Sequence, residues 1–209
     1  ADESWAFMQT LAGLGGADWF RLGDRDLALH VLRSHRLRAG EALSAITDDL
    51  RQRFGIGPRI LPMSDDPVRT RIGTDQGWLD FQDWFVRLRA EPLARAVQFA
   101  GVEKARAQPA LLDALQAKPR GIVLCPSNPF ISIEPILALP GLRDAIKASG
   151  APVVAVSPII AGQAVKGPTA RRFEALGITP SAAAVAARYG DLLHGYVMEK
   201  GDDAEGIAP

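Results

Sequence analysis

The apolar positions change their spacing along the chain, and the change divides it into regions. Trp5, Met8, Leu11 and Leu14 recur every three residues and predict a helix over 4–14, stopped by Gly15-Gly16. Leu27, Leu29, Val31 and Leu32 predict a second helix from Asp24 to near Gly40, with Leu29 beside Val31 blurring the period. Ser44 is placed to cap a third helix over 45–54 that Gly55 closes. From residue 59 onward short apolar runs alternate with helix-like segments. The run 59–63 reads as a strand delivering Ser64-Asp65-Asp66-Pro67 into a turn. Phe81, Trp84, Phe85 and Leu88 then predict a helix within 78–91 that carries a heavy aromatic face. Further strands are expected at 94–102, 122–125, 153–156 and 195–198, and helices at 110–117, 142–149, 169–176 and 182–193. Strands alternating with helices imply an α/β fold built on a mainly parallel sheet.

Two strand ends draw attention to chemistry. The run Ile122-Val123-Leu124-Cys125 stops at Pro126-Ser127-Asn128-Pro129 before a helix-like segment. Val153-Val154-Ala155-Val156 stops likewise at Ser157-Pro158, followed by a glycine-rich stretch that holds Lys166. Ligands of open α/β sheets bind outside the carboxyl ends of the strands, often at the start of the following helix. Matching loops therefore suggest one site built from neighbouring strand ends, with rigid connections as the structural alternative. Two carboxylate pairs add to this: Asp24 and Asp26 at a helix start, and Asp65 and Asp66 after Ser64. Each pair admits a structural explanation, helix capping or an Asx turn. Each also supplies the hard oxygen ligands that magnesium prefers.

Composition narrows the choice. Lys plus Arg and Asp plus Glu both total 24, so charge gives no support for a nucleic-acid or anionic-membrane partner. No apolar run approaches the ~20 residues a membrane-spanning helix needs, and a cytoplasmic protein is expected. The single cysteine, Cys125, ends a strand expected to be buried and has no internal disulfide partner. His30, His35 and His194 lack metal-binding spacing. No dinucleotide fingerprint, P-loop or nucleophile elbow is found in the sequence.

Five segments in order, FRLGDRDLALH, RILPMSDDPVRTRI, LDFQDWFV, CPSNPFISIEPIL and VVAVSPIIAGQAVKGP, resemble the 2-phospho-L-lactate transferase family of coenzyme F-420 biosynthesis. The resemblance runs from about Ser4 to Met198. It implies a Rossmann-like, mainly parallel sheet with helices on both faces and a helical insertion, whose helical, acceptor-binding part would fall within 24–100. It also implies transfer of a phospho-lactyl or phosphoenolpyruvyl group from a guanosine diphosphate-linked acid to the deazaflavin alcohol FO, with magnesium assisting and GMP leaving, in a homodimer. Carried over residue by residue, Asp24 and Asp26 are the expected catalytic pair. Asp24 and Asp65 are the expected metal ligands. Substrate is expected against Ser64, Asp65, Asp66, Ser127, Asn128, Pro129 and Lys166, and the deazaflavin near Trp78, Phe81 and Phe85. Family members begin with a strand, a Gly-Gly-Thr-Gly loop and an Asn-Thr-Gly-Asp-Asp segment. Because these and the usual final strand and helix have no counterpart here, the 209 residues are expected to be an internal portion of a single transferase domain. The competing class is a nucleotide-sugar-binding regulator of the related gluconeogenesis-factor type, which would bind nucleotide without deazaflavin recognition.

Overall fold

A computed structural model describes residues 3–160, 163–164 and 181–207 of the chain. Three helices come first: α1 (Ala6–Gly13), α2 (Asp24–Arg38) and α3 (Leu43–Arg53). They are joined more by polar contacts than by apolar packing, since α2 buries none of its residues. The starts of α1 and α2 satisfy each other. The Asp24 carboxylate accepts from the Ala6 and Phe7 N–H groups, both at 3.2 Å, while Glu3 accepts from the Arg25 N–H at 3.3 Å. Gly23, not Asp24, is the N-cap of α2. A Cβ at Gly23 would stand 2.3 Å from the Glu3 side chain, so glycine is what allows the two ends to approach. Farther on, the Arg36 guanidinium donates to Glu41 and, at 2.6 Å, to Asp49, pinning α2 to α3. Hydrogen bonds from Arg36 hold the Glu41 carboxyl below the usual carboxylate range.

The expected strand at 59–63 does not form. The chain instead makes an antiparallel sheet in the order β2-β1-β3 from β1 (Arg69–Thr74), β2 (Gly77–Asp80) and β3 (Ala94–Ala100). The helix expected over 78–91 is accordingly split: its first residues are β2, and a helical segment of π type spans Asp83–Arg87. Trp78 pairs with Gly73 across the hairpin, and a Cβ at Gly73 would come 3.2 Å from the indole. The aromatic face turns inward and packs on the sheet. Phe81 and Phe85 stack at 5.4 Å, and the buried Trp84 donates from Nε1 to the Pro92 carbonyl at 2.8 Å. With Ile72 and Ala94 these rings make a small core of their own.

The larger core belongs to the second half of the chain. There β4 (Ile122–Leu124), β5 (Val153–Val156) and the late strand β8 (Gly195–Val197) form a parallel sheet in the order β4-β5-β8. A two-residue pair, β6 (Ile159–Ile160) with β7 (Gln163–Ala164), follows β5. The helices of this half are α4 (Pro109–Gln116), α5 (Glu134–Leu137), α6 (Leu142–Ala148) and α7 (Ala182–Tyr189). Val153 and Ala155 are packed among Leu142, Ile146, Val185 and Tyr189. The expected helix over 169–176 lies outside the described residues, and that over 182–193 ends in a 3-10 turn, Gly190–Leu192. His194 is structural: its Nδ1 accepts from the Val153 N–H at 3.2 Å, and its own N–H donates to the Val153 carbonyl at 2.8 Å. Cys125 proves exposed rather than buried. No helix among the described residues is long and apolar enough to cross a membrane.

Two outcomes follow from this packing. Gly101 has φ +92°, and a Cβ there would stand 2.6 Å from the Pro67 carbonyl oxygen. Gly101→Ala should therefore destabilise the fold by about 1–3 kcal/mol, as measured by chemical denaturation. Burial pushes the Tyr189 phenol up to about 12 from an ordinary 10.0, and its hydroxyl has no hydrogen-bond partner among the described residues. Its folded-state pKa is raised, so the stability it contributes is complete below pH 10 and is lost as pH rises toward 12. Tyr189→Phe should leave stability at pH 7 within about 1 kcal/mol of the parent, because no hydrogen bond is broken. The same variant should lose less stability than the parent between pH 10 and 12.

Candidate active site at the strand ends

Because β4 and β5 are neighbouring and parallel, with Leu124 opposite Ala155, the loops that follow them leave the sheet at the same edge. The Ser127-Asn128 loop and the Ser157 turn are thus brought together as the sequence suggests. Lys166 lies outside the described residues.

Asn128 is the N-cap of the helical turn Pro129–Ile133, where Pro129 supplies a fixed φ and lacks the N–H that would otherwise need a partner. Its Oδ1 accepts from the Phe130 and Ile131 N–H groups at 3.0 and 3.3 Å. Both Asn128 and Pro129 are buried. The Asn128 Nδ2 is buried without an acceptor among the described residues, which is costly for an amide donor. Half the amide therefore builds the loop and half is left over. Ser157 closes its own turn, its hydroxyl donating to the Ile159 carbonyl and accepting from the Ile159 N–H, both at 3.1 Å. Beside it on β8, burial raises the Tyr196 phenol while the nearby Ser157 hydroxyl opposes the rise. The Tyr196 hydroxyl has no hydrogen-bond partner among the described residues.

The carboxylates serve other parts of the molecule. Both oxygens of Asp24 are engaged at the start of α1, while Asp26 is exposed. Asp65 accepts from the Ser44 N–H at 2.6 Å and the Ser44 hydroxyl at 2.8 Å, fixing the first turn of α3. Ser44 is thus held by Asp65 in the second position of that helix, and Ala42 is its N-cap. Asp66 accepts from the Arg106 N–H at 2.9 Å, the main cause that holds its carboxyl below the usual carboxylate range. Ser64 is buried; it donates to the Arg106 carbonyl and accepts from the Asp66 N–H. Asp65 and Asp66 share the wall of a cavity of about 540 Å³ with Arg106, Gln108 and Pro140. Asp24 stands apart from them, at the far end of the 15-residue α2, a length of roughly 22 Å. Among the described residues no group of three His, Cys, Asp or Glu side chains could hold a metal ion, so Asp24 and Asp65 do not by themselves make a magnesium centre. Trp78 is exposed, whereas Phe81 and Phe85 belong to the small core.

A further cleft of about 250 Å³ opens between β3 and the Asn128-capped turn, with Arg95, Phe130, Glu134 and Arg188 in its walls. Sequence reasoning missed these residues, as it missed Tyr196. Arg95 and Arg188 lie far apart in the chain, and of the four only Phe130 and Glu134 stand within a segment that the sequence singled out.

Polar loops at the carboxyl ends of adjacent parallel strands define an α/β protein of the class that binds small molecules at its sheet edge. Residues 5–203 match the family of 2-phospho-L-lactate transferase CofD. The chain belongs to that family. It is 44% identical to a phosphoenolpyruvate transferase of Kitasatospora aureofaciens, over 97% of this chain and 65% of that protein. It is 41% identical to a 2-phospho-L-lactate transferase of Methanosarcina mazei, over 99% of this chain and 67% of that protein. The chain thus spans about two thirds of the length of these relatives. Its fold is similar to that of protein BH3568 from Bacillus halodurans, with TM-score 0.53 and 15% identity over 81% of this chain and 63% of that one.

Asp24 provides the test of how its helix start works. Asp24→Ala should destabilise the fold by about 1 kcal/mol, the usual loss of a helix cap. Asp24→Asn retains one acceptor oxygen for α1 and should lose less. Urea denaturation of both variants measures the difference, and equal losses would show that the capping contacts are not what the carboxylate contributes.

Proposed function

We propose that the chain forms part of a transferase that moves a phospho-lactyl or phosphoenolpyruvyl group from a guanosine diphosphate-linked acid to the deazaflavin FO. The observation that carries this reading is the shared edge of β4 and β5, where a buried amide donor, Asn128 Nδ2, is left without a partner. A phosphate or base oxygen of the donor would satisfy it. In the step envisaged, the primary hydroxyl of FO attacks the phosphorus that bears the acid. A new phosphorus–oxygen bond forms, the bond to the GMP oxygen breaks, and the hydroxyl proton is released. Family membership and the names of the transferase relatives support the reaction class.

Within this reading Ser127, Asn128 and Pro129 hold the donor, together with Lys166. Asp65 and Asp66 line the cavity of about 540 Å³, and Asp26 is an exposed carboxylate at the start of α2. Magnesium and a homodimer belong to the same reading; Asp24 and Asp65 stand at opposite ends of α2 and would serve as separate candidate ligands rather than share one ion. The aromatic residues at 78–85 are given a weaker share, since Phe81 and Phe85 are already stacked on each other.

Incubation of the protein with FO, magnesium and each guanylylated acid, with products identified by mass, tests the reaction. The expected outcome is an FO phosphodiester together with GMP. Nucleotide binding with no product from any acid would favour the regulatory, nucleotide-sugar-binding class. Asn128→Asp tests the site separately. It keeps the capping oxygen but replaces the Nδ2 donor by an acceptor, so the fold should survive while donor affinity falls at least tenfold, or about 1.4 kcal/mol. Unchanged affinity in a folded variant would remove Asn128 from the donor site.

A further inference from the structure

The cleft between β3 and the Pro129–Ile133 turn carries charge that the fold does not consume. Arg95 projects from β3 into its wall, is exposed, and has neither an ion pair nor a hydrogen bond among the described residues. On the opposite wall Arg188, from the last turn of α7, lies over the Phe130 ring with its guanidinium carbon 4.6 Å from the centroid. Arg188 also forms an ion pair with Glu134. Two guanidinium groups and one carboxylate line the cleft, which keeps a net positive charge. Ala96, Val97 and Phe99 complete it with a mostly apolar wall. Phe130 is held by the loop already described, because its N–H donates to Asn128 Oδ1. The cleft and the strand-end site thus share one turn.

Guanidinium groups recognise carboxylates and phosphates through paired, charge-assisted hydrogen bonds, and an aromatic face beneath one of them restricts its motion. We infer that this cleft binds the acid portion of the donor, a small phosphorylated carboxylic acid, through Arg95 and Arg188. This rests on the transferase reading and adds the residues that would recognise the acid. Glu134 is then an internal rival of the ligand: it orients Arg188 and competes with an incoming anion for the same donors. A purely structural Arg188–Glu134 pair makes no such demand, so the two roles differ in the sign of a measurable effect.

Calorimetric titration with phosphoenolpyruvate and, separately, with GMP at fixed ionic strength supplies the test. Arg95→Gln should weaken phosphoenolpyruvate binding about tenfold, the scale of one charge-assisted hydrogen bond, and leave GMP binding unchanged. Because Arg95 has no partner to lose, this variant should fold as the parent does, which its thermal transition verifies. Glu134→Gln should tighten phosphoenolpyruvate binding a few-fold by freeing Arg188 and removing a repelling charge. Any of three results would overturn the inference: no phosphoenolpyruvate binding by the parent at millimolar concentration, unchanged affinity in Arg95→Gln, or an equal loss for GMP. Weaker binding in Glu134→Gln would do the same. The FO transfer reaction separates this failure from failure of the proposed function. Acid binding with the expected variant pattern but no transfer leaves the cleft standing, whereas transfer with an unaltered KM in Arg95→Gln removes the cleft alone.

Discussion

The turn Ser64-Asp65-Asp66-Pro67 is the constraint on which the arrangement of the whole molecule depends. Each of its residues reaches a different element. Asp65 holds the first turn of α3 through Ser44, and Asp66 and the buried Ser64 close a ring of hydrogen bonds with the backbone of Arg106. Just before the turn, the Met63 carbonyl accepts from the Gln108 N–H at 2.9 Å, and the Gln108 side chain in turn caps α4. Just after it, Pro67 lies against Gly101, where β3 ends. The helical region, the antiparallel sheet and the entry to the parallel half are thus tied within a few residues. Apolar packing helps only on one side, where Met63, Val68 and Val102 pack against the larger core; the two buried cores are separate clusters and α2 buries nothing. Polar groups of the turn replace a continuous core at the junction. Their hydrogen bonds are directional, so they set orientation as well as proximity.

This use of carboxylates bears on the chemistry. An Asp that accepts from backbone N–H groups at a helix start is satisfied by the fold, and a carboxylate has lone pairs to spare only if the geometry around it is open. Asp24 and Asp66 spend theirs on backbone donors that would otherwise be unpaired. At the strand ends and in the cleft, side chains with unused capacity include the Asn128 amide nitrogen, the Tyr196 hydroxyl and the Arg95 guanidinium. Two of these three are donors only, and the phenol can donate. A region whose unspent capacity is in donors suits an anionic ligand, which agrees with the phosphorylated substrates named for the transferase relatives.

The parallel half was legible in the sequence because its strands are continuous apolar runs ended by proline. Ile122 to Leu124 and Val153 to Val156 are the strands they look like, and their loops meet at one edge. The antiparallel half was legible only in β3, expected at 94–102 and found at Ala94–Ala100. In β1, Arg-Thr-Arg-Ile-Gly-Thr, Ile72 is the single large apolar residue turned inward, so no alternation marks it as a strand. The helical spacing of Phe81, Trp84, Phe85 and Leu88 was real, yet Trp78 did not belong to it. The indole lies over Gly73 in the hairpin, and nothing local to residue 78 announces that distant glycine. The site divides in the same way. Asn128 sits in a loop that punctuation by proline reveals, whereas Arg95 and Arg188 become neighbours only through the fold. The acidic pairs were conspicuous as motifs, and the structure gives three of these carboxylates, Asp24, Asp65 and Asp66, backbone N–H groups to hold, a role that also favours Asp at turns and helix starts.

The shared turn Pro129–Ile133 gives the two halves of the candidate site a physical connection. Its N-cap, Asn128, anchors the first N–H groups, and its second residue, Phe130, supplies the ring under Arg188. A ligand group that engaged the free Asn128 nitrogen would also fix the orientation of the turn, and with it the ring that restricts Arg188. Contacts at the strand edge and in the cleft would then reinforce each other without any movement of the sheet. The geometry therefore favours a ligand with two separated anionic or polar ends over two independent small ions. An acid joined through a diphosphate to a nucleoside has that form. A nucleotide linked to a neutral sugar lacks the carboxylate end, and for it Arg95 would have no evident counterpart. The unpaired charge of Arg95 is thus the feature that most favours the transferase class over the regulatory one.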